Sequence, residues 1–300
     1  MKNQLSLNYS ESKFYYGVLQ VVLAAAIWGA AYPLTKDALR NISPLFLGFC
    51  RFFLAGILLM AYSKSMPLEN IEKKDRWAVI SMAFWGTFLL VIAMNLGLSR
   101  APGVVASVLS GTPPLFTVVL AAFWLKEPME RRHFAAVVLS ISGIFLLSNN
   151  YVDENISGGM LTGVALLLLA QISWAVYGIL GKEAISRYTW LQICRDTFSL
   201  GALMLAPVAL AELIIKGPGI WNIQGYLTLA YLGIGNSIIT YGLWNNALRV
   251  IPVSTASFVL YLQPISGAIL SVIIYGETLS AQSISGCILI FIGLSIVLKK

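Results

Sequence analysis

Residues 95–143 recur, displaced by 150 positions, as residues 245–293, and this duplication constrains the fold more than any other feature of the chain. Asn95 matches Asn245, Leu98 Leu248, Pro102 Pro252, Ala106 Ala256, Ser107 Ser257, Pro114 Pro264, Glu127 Glu277 and Gly143 Gly293. Nearer the start, Trp28, Lys36, Asp37 and Ala38 match Trp174, Lys182, Glu183 and Ala184 at a displacement of 146. Internal repeats define architecture before any single element does. The chain therefore divides into two copies of one unit, residues 1–150 and 151–300.

What each copy is made of follows from its polarity. Of the 300 residues, 58% are hydrophobic and 11% charged, and the mean hydropathy is +0.80. Soluble domains carry about 25% charged residues. A membrane protein is expected, with the lipid bilayer as its solvent. The formal charge of +7 does not point to nucleic acid, because the basic residues stand singly or in pairs at the ends of apolar stretches and form no clustered basic face. Cys50, Cys194 and Cys287 lie inside apolar stretches without metal-ligand spacing, so packing is the expected role.

A lipid-spanning helix needs about 20 mostly apolar residues, since its backbone amides must be satisfied without water. Ten stretches qualify: 17–35, 44–62, 77–98, 103–125, 133–148, 159–181, 189–211, 224–247, 253–275 and 281–298. The fifth is short, but its repeat mate, the tenth, is clearer. The first is longer than a usual signal-peptide core, and its relative at 159–181 lies mid-chain, so a retained helix is expected. One set of alternate loops holds Lys2, Lys13, Lys64, Lys73, Lys74, Arg76, Lys126, Arg131, Arg132, Lys182, Arg187, Arg249, Lys299 and Lys300, against Lys36, Arg40, Arg100 and Lys216 in the other. The positive-inside rule then predicts a multi-pass protein of the cell (plasma or inner) membrane with both termini cytoplasmic. Five spans per copy is an odd number, which inverts the second copy relative to the first. The predicted fold is an all-α membrane protein of ten transmembrane helices in two inverted-topology five-helix repeats, a construction recurrent in secondary transporters.

The run Ile27-Trp28-Gly29-Ala30-Ala31-Tyr32 ahead of Lys36, the Arg51 of span two, the segment from Ala101 to Ser107, and Glu127, together with Trp174, Lys182, Arg195, the segment from Ile251 to Ser257 and Gly276-Glu277 in the second copy, resemble the EamA family of the drug/metabolite transporter superfamily. The resemblance covers nearly the whole chain and implies ten helices in two inverted repeats, with transport, often export, of small metabolites such as amino acids. Tyr32 and Pro33 stand where many members have other residues, which bears on pocket shape.

Site candidates follow from what a bilayer penalises. Pro33, Pro113-Pro114 and Gln263-Pro264 are helix-breaking positions inside spans, where backbone carbonyls are freed toward a cavity or neighbouring helices fill a static kink. Trp28 with Tyr32, and Trp174 with Tyr177, share helix faces and are expected to form two opposed aromatic walls, with Tyr241 and Trp244 as weaker candidates; ordinary packing or an interfacial aromatic belt is the alternative. Asn95 and Asn245 are equivalent buried amides that read a polar substrate or tie helices together. Gln263 breaks the repeat symmetry and is a specificity candidate. Arg51, Arg195 and Asp196 are the charges inside spans. Arg51, roughly 10 Å along its helix from Pro44, is expected to snorkel outward, and Arg195 to pair with a carboxylate on a neighbouring helix; a substrate carboxylate is the other reading for both. Asp196 is a candidate proton carrier if its face is wet. Lys36 with Glu277, and Lys182 with Glu127, end spans on opposite surfaces and are expected to pair as outer and inner gates.

The predicted function is that of a secondary transporter, an exporter of amino acids or related amphipathic compounds working by alternating access, with a small-molecule substrate as partner. A multidrug or nucleoside-type exporter of the same fold is the alternative; the former expects a membrane-embedded carboxylate that most spans lack. A membrane-embedded enzyme is disfavoured, because no HExxH, GxSxG or paired intramembrane aspartates occur and the single His133 opens a helix. No nucleotide-binding motif and no metal-ligand set is present, so no cofactor is expected.

Overall fold

A computed structural model describes residues 2–101, 106, 109–126, 130–148, 158–275 and 281–298, and these fold almost entirely into helices. We number them α1 (Lys2–Ala38), α2 (Pro44–Ser63), α3 (Arg76–Arg100), α4 (Pro113–Trp124), α5 (Arg131–Ser148), α6 (Gly158–Arg187), α7 (Trp190–Lys216), α8 (residues 223–247), α9 (Val253–Val259), α10 (Leu262–Tyr275) and α11 (Ala281–Leu298). Among the described residues no strand occurs, and the one β-bridge joins Ile42 to Gly219. Among the described residues, five helices are long and apolar enough to cross a membrane: α1, α2, α3, α6 and α7.

Helix ends follow their local chemistry. Pro44 opens α2, where its missing N–H would have no intrahelical partner. The next two amides, of Leu45 and Phe46, donate to Glu212 Oε2 of α7 at 2.7 and 3.1 Å, so an acid from another helix caps the positive end of α2. Thr189 and Gln192 form a capping box at the start of α7, and Asn222 caps α8 through the Gly225 amide. Pro113 and Pro114 begin α4 rather than kinking it, and Pro264 lies in the first turn of α10. These prolines thus mark interruptions of their spans, as their helix-breaking character predicts, with residues 110–112 non-helical before α4, whereas Pro33 lies inside α1. The interruption of span nine lies at residues 260–261, immediately before α10.

Two helices change their winding at repeat-related places. Residues Phe84–Leu89 of α3 and Tyr231–Ile239 of α8 are π-helical. A π-turn shifts the hydrogen-bond register and releases carbonyls from the regular ladder.

The packing obeys the duplication. The most extensive pairings are α5 with α11 and α2 with α7, which join repeat mates. The others occur as matched pairs: α3–α6 answers α1–α8, and α4–α6 answers α1–α10. Glycine makes one of these contacts possible. A Cβ on Gly29 would lie 1.8 Å from Ser266 Oγ and 2.6 Å from the Gln263 carbonyl oxygen, so α1 and α10 touch through backbone. The bundle's exterior carries Phe53, Phe123, Phe134, Leu203, Ile214 and Phe291 exposed, as suits a surface solvated by lipid.

Candidate functional site

Between the two copies lies a cavity of about 80 Å³. Trp28, Ala31, Tyr32 and Thr35 of α1, Arg51 of α2, Leu90, Val91, Met94, Asn95 and Leu98 of α3, Pro113 of α4, Gln171 and Trp174 of α6, Asn236 and Tyr241 of α8, Leu260 and Gln263 line it. The α1 and α3 residues all belong to the halves nearer Lys36 and Arg100, so the cavity is displaced toward that end of the bundle.

The aromatic wall is continuous. Trp28 meets Trp174 edge to face at a centroid separation of 4.9 Å, and Tyr241 packs against both at 5.9 and 5.2 Å. Such edge-to-face contacts fix ring orientation as well as burying area. The two aromatic faces inferred from the repeat therefore touch.

The polar part of the wall is built on the π-turn of α8. The Asn236 carbonyl accepts from Trp28 Nε1 at 3.1 Å, Arg51 Nη2 at 3.3 Å and Thr240 Oγ1 at 2.6 Å. Arg51 Nε also donates to Ser237 Oγ at 2.8 Å, and its guanidinium lies 4.7 Å from the Phe52 ring centroid. The π-turn of α3 plays the corresponding part: the Gly86 carbonyl accepts from the Tyr241 hydroxyl at 2.8 Å. Arg51 does not snorkel to the surface as expected. Its position on α2 turns it inward, where the freed carbonyl offers a better partner than the interface does.

Other candidates fall in different places. Asn95 Nδ2 donates to the Pro44 carbonyl at 2.9 Å while the residue lines the cavity. Its mate Asn245 is fully buried away from the cavity, accepting from the Tyr177 hydroxyl at 3.0 Å and reaching Cys194 Sγ at 3.4 Å. Tyr177 and Trp244 are likewise buried and absent from the cavity wall. Of the substrate-binding candidates, Trp28, Tyr32, Asn95, Trp174, Tyr241 and Gln263 meet at the cavity, and Tyr177, Trp244 and Asn245 close the end opposite. Arg195 pairs with Asp196, the next residue on its own helix, at 2.6 Å with both buried. A partner from a neighbouring helix and a wet Asp196 face are both corrected by this contact. His133 is buried, accepts the Glu130 amide through Nδ1 and stacks on Phe258.

Lys36 and Lys182 make equivalent contacts within their own copies. Lys36 Nζ donates to the carbonyls of Leu98 and Ala101, and Lys182 Nζ to those of Leu248 and Ile251. Each lysine thus satisfies carbonyls at the C-terminal end of the third helix of its copy, where a cation also complements the helix dipole. Their expected gate partners, Glu127 and Glu277, lie outside the described residues.

Gln171, Thr35, Met94 and Asn236 were not singled out from sequence. A polar side chain in an apolar stretch is the signal that would have found Gln171 and Asn236. Among the described residues no cluster of histidine, cysteine or acid is arranged to hold a metal.

A duplicated, all-helical bundle with a cavity between its copies is the architecture of a membrane carrier. The EamA-like transporter family profile matches twice, over residues 15–149 and 161–299. The chain belongs to that family and is a multi-pass membrane protein. It is similar to an Escherichia coli (strain K12) protein named a probable amino-acid metabolite efflux pump, with 27% identity over 93% of each chain. An uncharacterized transporter of Archaeoglobus fulgidus is 25% identical over 93% of this chain and 98% of its own. A crystal structure with 18% identity superposes with a TM-score of 0.76, covering 94% of this chain and 96% of that one, and establishes the shared fold.

Proposed function

We propose that the protein is a secondary transporter that exports small amphipathic metabolites, amino acids or compounds like them, by alternating access across the cell membrane. In this reading ten spans form two inverted five-helix repeats, both termini are cytoplasmic, and residues 1–150 and 151–300 are the two copies. The carrying observation is the cavity between the copies, walled by Trp28, Trp174 and Tyr241 and edged by Asn95, Gln171 and Gln263. A buried water needs roughly 10–15 Å³ of such space. The cavity's 80 Å³ therefore matches the room of about half a dozen waters, the scale of a single amino acid. The relative named as a probable amino-acid metabolite efflux pump supports the same substrate class.

Alternating access also suits the asymmetry between equivalent sites. Asn95 faces the cavity, whereas Asn245 is locked to Tyr177. Exchange of these two environments between the copies opens the opposite end. The test is uptake into proteoliposomes of radiolabelled amino acids, nucleosides and cationic drugs, each with and without a pH gradient. Saturable movement of amino acids is the expected result; movement of cationic drugs alone replaces this reading with multidrug export.

A further inference from the structure

The cavity contains a cation and no anion. Among the described residues its wall carries Arg51 and no aspartate or glutamate. Charges inside a membrane protein are expensive and are paired or functional. This chain shows how it treats a purely structural buried arginine: Arg195, on the second helix of the other copy, has Asp196 built in beside it at 2.6 Å. The residue after Arg51 is Phe52, whose ring face offsets only part of a full charge. Arg51 spends Nε on Ser237 and Nη2 on the Asn236 carbonyl, and no described hydrogen bond uses Nη1.

Hydrogen-bond accounting of the same wall agrees. Gln171 Nε2, Trp174 Nε1 and Asn236 Nδ2 are buried donors without a partner among the described residues. Buried donors are nearly always satisfied in folded proteins, and three orphaned donors on residues of the wall that also carries Arg51 suit an oxyanion better than a cation. Electrostatics inside a low-dielectric cavity amplifies the preference, and it also rejects a cation that brings no negative group of its own.

We infer that Arg51 is the recognition residue for a carboxylate carried by the cargo, with the Gln171, Trp174 and Asn236 donors around it and the aromatic wall holding the cargo's apolar part. This rests on the cavity being the cargo site. It selects organic acids and zwitterions over amines, and supplies to Arg51 the counter-ion that Asp196 supplies to Arg195.

The test is ligand binding to the purified full-length protein in nanodiscs, read by tryptophan fluorescence, since Trp28 and Trp174 form the wall. The probes are 3-phenylpropionate, L-phenylalanine, L-phenylalanine amide and phenethylamine. The two carboxylates are expected to bind and the two amines lacking one are not. Arg51→Gln is expected to weaken carboxylate binding roughly tenfold to a hundredfold, the range for a hydrogen bond to a charged group, and Arg51→Lys to restore part of it. If Arg51→Gln does not fold, the four-ligand comparison on the native protein still decides. Equal binding of phenethylamine and 3-phenylpropionate, no binding of either carboxylate, or unchanged carboxylate binding by Arg51→Gln overturns the inference. Transport of neutral or cationic compounds alongside any of those outcomes leaves the exporter reading standing, whereas binding of carboxylates without transport of any compound removes only the latter.

Discussion

At Asp75 two neighbouring groups converge from the end of α6. Arg187 Nη1 donates to both carboxylate oxygens at 2.7 and 3.0 Å, and the Tyr188 hydroxyl donates to Oδ2 at 2.7 Å. The cluster ties the α2–α3 loop of the first copy to the end of α6 in the second. The Tyr188 hydrogen bond first, and then Arg187, hold the Asp75 carboxyl below its ordinary value. A depressed folded-state pKa adds stability that is complete above the unfolded value and is lost as pH falls through the folded one. With an unfolded value near 3.9, the loss falls below about pH 4. Melting curves from pH 7 to pH 3 should show the native protein losing more stability in that window than Asp75→Asn. Equal losses would remove Asp75 from this role. The second residue-scale prediction concerns Asn245. Its replacement by leucine leaves the Tyr177 hydroxyl buried without an acceptor, at a cost of about 1–3 kcal/mol, to be read by thermal denaturation in detergent.

Among the elements, the π-turns of α3 and α8 do most to shape the site, because their carbonyls hold Trp28, Arg51 and Tyr241. They demand small residues where neighbours press in. A Cβ on Gly86 would lie 2.1 Å from the Tyr177 ring, an overpacking that costs about 1–3 kcal/mol. On Gly235 it would meet the Tyr231 ring at 3.5 Å, ordinary contact. Gly86→Ala should therefore lower the melting temperature and Gly235→Ala leave it nearly unchanged; matching effects would show that the tight contact at α3 is relieved by movement. Neither π-turn was legible from sequence. A change of hydrogen-bond register leaves no mark on hydrophobic periodicity, and Thr87 with Ser237 is a faint repeat match. The prolines were legible for the opposite reason. Proline disrupts helix interiors, and Pro113, Pro114 and Pro264 stand in the first turns of α4 and α10, directly after interruptions of spans four and nine.

For the molecule as a whole, the cavity lies toward the Lys36 end while Tyr177, Trp244 and Asn245 fill the Lys182 end. In the proposed orientation the described state faces outward. With the native cysteines replaced, a membrane-impermeant maleimide added outside intact cells should label Met94→Cys and leave Asn245→Cys unlabelled. Labelling of Asn245→Cys with protection of Met94→Cys would place the open end on the other side.

The duplication, the helical class, the aromatic positions and the membrane setting were all determined by sequence alone. Repeat spacing and apolar run length are local properties, written directly in residue order. Trp28, Trp174 and Gln263 could be singled out because aromatic and amide groups stand apart in apolar surroundings. Tertiary structure alone decided which member of the Asn95 and Asn245 pair reaches the cavity. It sends Asn95 there and locks Asn245 to Tyr177, turns Arg51 inward rather than out to the interface, and gives Arg195 a carboxylate from its own helix. The physical reason is that the two copies share one pattern but occupy different environments, and the partner a buried polar group finds depends on how the helices of both copies pack together.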